Sequence, residues 1–265
     1  MSAGDAAAPP SKEGGRAARR GGLYAVGAVI IVVLAALVYV GPMGGTEGTP
    51  GSRARDYASS SYAKLVVEVD WLAGAGSDYR PSASVLSYLQ TELSDRLTKP
   101  GGIVVQYGAA IALTKDSYSP ADLREVERAH RELRTGGDTA AIWVLFANRY
   151  AASANVAGVA YSGSAVAVFA QTIDDASTFA VAAETIERVT LLHEAGHLLG
   201  LVNGGTPMVT PHEDAAHRGH SSNDASIMYW AVESDVVSTI LGGRVDLNNP
   251  FDANDIADLR AVGGR

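Results

Sequence analysis

Five of the six histidines fall between His193 and His220. Two of them bracket a glutamate in His193-Glu194-Ala195-Gly196-His197. On a helix, residues i and i+4 share a face, so both imidazoles are presented to one metal ion. Neutral imidazole nitrogens suit Zn²⁺, the expected cofactor. Glu194 follows the first imidazole and can take a proton from water at that ion. The chemistry of such a set is hydrolysis by a metal-activated water, with Glu194 as general base.

A helix must carry this set. Apolar residues at Val181, Ile186, Val189, Leu192, Leu198 and Leu199 repeat at helical spacing and predict a helix over Ser177 to Leu201. Asp174, Asp175 and Ser177 are start signals, and Gly200 allows a left-handed stop. The pattern His-Glu-x-x-His-x-x-Gly resembles the metzincin zinc peptidases, whose sequence continues with x-x-His or x-x-Asp. Here that position is Asn203, and a neutral amide oxygen is a poor zinc ligand.

A later stretch also resembles a metzincin subgroup, the matrixins. His220-Ser-Ser-Asn-Asp-Ala-Ser-Ile-Met228-Tyr229 is similar to their segment from the third zinc histidine to the methionine turn. The resemblance implies an insertion over Leu201 to Gly219, with His220 as third metal ligand. It implies Met228 as an apolar floor beneath the ion, with Tyr229 and Trp230 walling a substrate pocket. His217, His212 and Asn203 stay open as alternative third ligands. His212 and His217 read equally as solvated loop histidines, or as ligands of a second ion with Glu213 or Asp214.

The surrounding order is α/β. Strands are expected at Tyr62 to Trp71, Ile103 to Tyr107 and Ala140 to Phe146, with one or two more between Val156 and Gln171. Helices are expected from Ser82 to about Leu97 and from Ser119 to about Leu133, the second with Pro120 in its first turn. This alternation predicts a mostly parallel twisted sheet. The resemblance adds an antiparallel edge strand above the cleft, for which Ala165 to Phe169 is the candidate, and a final helix after the methionine turn. Asp252 caps that helix, and Ile256 and Leu259 are its expected buried side.

At the other end, Leu23 to Val40 runs 18 residues without a charge, near the minimum for a transmembrane helix. Lys12, Arg16, Arg19 and Arg20 precede it, which predicts a cytoplasmic N-terminus and an extracytoplasmic C-terminal domain at the cell membrane. A cleaved signal peptide is the other reading of this run. Residues 1–22 read as a disordered tail, 41–60 as a flexible linker and 61–265 as the metallopeptidase domain.

Composition narrows the partners. The net charge of −8, with no basic cluster in the C-terminal part, argues against nucleic acid. The chain has no cysteine, so disulfides and thiolate ligands are excluded. The expected partners are a peptide or protein substrate and, through 23–40, a lipid bilayer. Glu184, Glu187 and Arg188 argue against an HExxH helix inside a membrane. The expectation is thus a membrane-anchored zinc metalloendopeptidase. A catalytically inactive, zinc-stabilised binding protein and a non-peptide zinc hydrolase are the alternatives.

Overall fold

The structure is a computed structural model that describes residues 48–74 and 76–265. The expected tail and membrane segment lie outside them. Among the described residues no helix is long and apolar enough to cross a membrane.

The fold is mixed α/β around a mostly parallel sheet. Strand β1 (Lys64–Gly74) pairs in parallel with β3 (Ile103–Ala112) on one side and β4 (Thr139–Ala147) on the other. A two-residue strand, β2 (Ser77–Asp78), folds back on the end of β1. Next to β4 comes β6 (Ala165–Phe169), parallel, and then β5 (Gly158–Ser162), antiparallel. The antiparallel edge strand therefore exists, but it is β5 and not the expected 165–169. Residues 165–169 are buried at every position because they lie between two neighbours, as an interior strand requires.

Strand β4 shows how both faces are covered. Ile142, Val144 and Phe146 join the core beneath helices α2 (Ala83–Arg96) and α5 (Ala183–Leu198). Trp143 and Leu145 point the other way, toward Leu123 of α3 (Pro120–His130). Helix α3 starts on a capping box between Ser119 and Asp122. It ends at His130, short of the expected Leu133. Arg131 there turns inward to Glu127 Oε1 (2.7 Å) and the Ala141 carbonyl (3.0 Å).

Two expectations near the ends need correction. The helix predicted over 177–201 is shorter than expected: α5 runs only from Ala183 to Leu198, and a separate helix, α4 (Ala170–Ala176), ends before it. Asp174 and Asp175 thus close one helix and do not open the next. Residues 48–60 of the expected linker are structured: α1 (Ala54–Ala58) buries Ala54, Tyr57 and Ala58, and the Tyr57 hydroxyl donates to the Gly163 carbonyl at 3.0 Å. Small residues and one tyrosine make this packing, and their Gly- and Ser-bearing context hides it in composition.

Candidate metal centre

Helix α5 carries the first two imidazoles, and its last two turns are almost wholly buried. His193 and His197 project from one face, with Nε2 atoms 3.2 Å apart. The helix stops just beyond them: Leu199 is the C-cap, Gly200 takes φ +70°, and Val202 and Asn203 also lie in the left-handed region. This tight reversal sends the chain into an irregular loop that returns at His220. The His220 ring lies 5.3 Å from that of His193 and 5.1 Å from that of His197, centroid to centroid.

The returning segment is held by backbone bonds. Ser221 N–H donates to the Met228 carbonyl at 2.8 Å. His193 Nδ1–H donates to the Ile227 carbonyl at 2.7 Å, which fixes the tautomer and leaves the Nε2 lone pair facing the other rings. Met228 is fully buried beneath them, with its thioether against Gly196.

A fourth group joins the three histidines. Glu233 stands on the short helix α6 (Ala231–Ser234). Its Oε1 lies 3.0 Å from His220 Nε2, 3.3 Å from His193 Nε2 and 3.4 Å from His197 Nε2. The four donor atoms all lie within 4.8 Å of one another, so the group could hold a metal ion. Sequence reasoning missed Glu233. The available signal was an acidic residue five positions after Met228, directly after Tyr229-Trp230-Ala231-Val232.

The donor set fits a cation on two grounds. Tetrahedral ligands about 2.0–2.1 Å from a zinc ion are separated by about 3.3–3.4 Å, close to the 3.2 Å between His193 and His197 and the 3.0–3.4 Å from Glu233 to each imidazole. Both ring nitrogens of His220 are sealed from solvent without a well-formed hydrogen bond, despite the nearby carboxylate. Facing lone pairs on His193 and His197 repel unless something positive lies between them. Burial, opposed in part by Glu233, pushes His197 down to about 4, so its ring is neutral at ordinary pH and its lone pair is available. Burial alone would raise Glu233, but its close contact with the three imidazoles holds it well below the usual carboxylate range.

Glu194 is also buried, behind edge strand β5. The Ala160 backbone amide bonds to its carboxylate. Gly158 packs flat against it: a Cβ there would lie 2.6 Å from Thr190 Cγ2 and 2.8 Å from Glu194 Cγ. Burial, then repulsion from Glu233, pushes the Glu194 carboxyl well above its ordinary range.

The other candidates lie elsewhere. Asn203 is exposed and donates to Glu213 Oε2 at 3.4 Å. His217 stacks on Trp230 with rings 4.1 Å apart and 8° from parallel, its Nδ1 3.2 Å from Asp214. His212 is not a solvated loop residue: it is buried beside Asp255 and Asp258 of helix α8 (Ala253–Ala261). Tyr229 packs beside Trp230 with ring centroids 5.4 Å apart. Comparison with protein-family models and with characterised proteins gave no match.

Proposed function

We propose that the chain is a zinc-dependent endopeptidase of metzincin-like design, carried at a membrane by residues 23–40. The observation behind this reading is the meeting of three imidazoles from two chain segments, with Glu194 next to the first of them and bonded to Ala160 of edge strand β5. His193, His197 and His220 would hold the Zn²⁺, which when bound polarises a carbonyl and makes water more acidic. Glu194 accepts the proton of the attacking water and passes it to the leaving amine. A cation among the imidazoles opposes the upward shift of Glu194 and favours the ionised form that a base needs. The Ile227 carbonyl keeps His193 oriented, and Met228 excludes water from below.

The test uses the full-length chain and a peptide library. Glu194→Gln should lower turnover by at least about 10²-fold while zinc content stays unchanged. Cleavage at the wild-type rate by that variant defeats the assignment.

Glu233 favours a second reading. A fourth protein donor closes the coordination set, as in structural zinc sites, and suits a non-catalytic, zinc-stabilised binding protein. Library cleavage by the wild-type chain separates the two, and cleavage of non-peptide esters or amides alone would point to a different hydrolase.

A further inference from the structure

We propose that Glu233 is a displaceable ligand, an internal competitor that a substrate must push out of the coordination position it needs. The inference rests on the hydrolytic reading and says how access to that site is controlled.

Position comes first. Glu233 Oε1 stands 3.0 Å from His220 Nε2, 3.3 Å from His193 Nε2 and 3.4 Å from His197 Nε2. The three imidazoles and this carboxylate make a set of four donors, all within 4.8 Å of one another. Four is the full complement of a structural zinc, whereas a hydrolytic zinc keeps one position for water or substrate. Glu233 therefore stands where that water or a substrate carbonyl has to enter. Its charge also acts on Glu194, so the two carboxylates are close enough to repel.

Support differs among the four donors. His193 and His197 ride on α5, a helix of 16 residues, and the His193 ring is pinned through Nδ1 to the Ile227 carbonyl at 2.7 Å. The side chains of His193 and His220 are 1% and 4% exposed. That of Glu233 is 25% exposed, and it comes from α6, a helix of 4 residues with no side-chain cap at its start. Among the described residues, its carboxylate has no polar partner apart from the imidazoles. Permanent metal ligands are held in place by outer hydrogen bonds, and this carboxylate has no such support there. The backbone beneath it stays put: Ala231 and Val232 are buried, and Asp235 N–H donates to the Ala231 carbonyl at 2.7 Å. Opening is thus a rotation about the glutamate side-chain bonds toward solvent, and α6 need not unfold.

Competition of this kind has a definite signature. A carboxylate that holds the position for about nine-tenths of the time weakens an entering ligand about tenfold. The weakening falls on binding alone, because a bound substrate has already displaced the carboxylate. It raises KM and leaves kcat as it was.

The experiment uses the full-length chain carrying one equivalent of Co²⁺ in place of zinc, whose visible absorption reports each ligand that enters. Acetohydroxamate is the titrant. Glu233→Gln keeps the shape and loses the anion, and Glu233→Ala removes the donor altogether. Both should bind acetohydroxamate at least about tenfold more tightly than the wild-type chain. If neither variant binds it more tightly at one equivalent of bound metal, the proposal is overturned. With zinc-loaded chains and a peptide cleaved from the library, KM should fall about tenfold at unchanged kcat. An unchanged KM also overturns it. Failure of the hydrolytic reading looks different: no chain cleaves any peptide, yet the variants still bind acetohydroxamate more tightly, which sustains the displaceable ligand.

Discussion

Gly196 lies against the sulfur of Met228, so close that a Cβ at residue 196 would overlap Sδ. The contact sits directly below the paired imidazoles and sets the height of the floor. Alanine would gain about 1 kcal/mol of helix propensity. Overpacking beside a fully buried thioether works against it at about 1–3 kcal/mol. Gly196→Ala should therefore lower unfolding stability by about 1 kcal/mol in urea denaturation. Met228→Ala empties the same space, so the double variant should be less destabilised than the sum of the singles. Strict additivity would show that the contact carries no energy.

Glu233 should behave as a metal donor. Glu233→Ala should weaken zinc retention by about tenfold or more in chelator competition, a loss of at least about 1.4 kcal/mol. At saturating zinc the same chain should keep its turnover, since the three imidazoles and Glu194 remain. Loss of turnover as complete as in Glu194→Gln would move the proton-accepting role to Glu233.

Gly158 fixes how closely α5 approaches the sheet edge. A Cβ there would meet Glu194 Oε1 at 2.9 Å as well as Thr190. Gly158→Ala should push Glu194 away from Ala160 and reduce kcat far more than zinc content. An unchanged kcat would show that the position of Glu194 does not limit the reaction.

Glu187 gives a pH signature away from the centre. Burial, then Asp174 and Glu184, raise its carboxyl to about 7 from 4.5. Between those values the native state binds more protons than the unfolded chain, so this group's contribution to stability falls as pH rises from about 4.5 to about 7. Glu187→Gln should raise the thermal midpoint above pH 7 and leave it nearly unchanged near pH 4. The stabilisation at high pH is on the order of 1–3 kcal/mol. An equal shift at both pH values would point to packing and not to charge.

Much of this architecture is legible in the residues. The alternation of β1, α2, β3, α3 and β4 follows from hydrophobic period and from Ser119-Pro120 as a start signal. His193 and His197 follow from helical geometry alone. His220 needed the similarity around Met228, because a loop of irregular backbone separates it from α5 and no periodicity measures that distance. Glu233 escaped because its role depends on where a four-residue helix folds back. The burial of Asp255 and Asp258 escaped because a buried aspartate looks like a surface one until its partner arrives. That partner, His212, comes from 43 residues before Asp255. The break between α4 and α5 was hidden because Val181 keeps the helical spacing through it.

Gly51 meets the reversal that follows α5, with its backbone against Gly204 and Gly205 so tightly that neither side has room for a methyl group. Gly51 and Gly205 both hold positive φ there, at 76° and 148°. The segment before α1 thus touches both the turn between β5 and β6, where Gly163 N–H donates to the Gly48 carbonyl at 3.0 Å, and the bend that aims the histidines. Any side chain at residue 51 or 205 would wedge this seam apart and shift the start of the loop that carries His220.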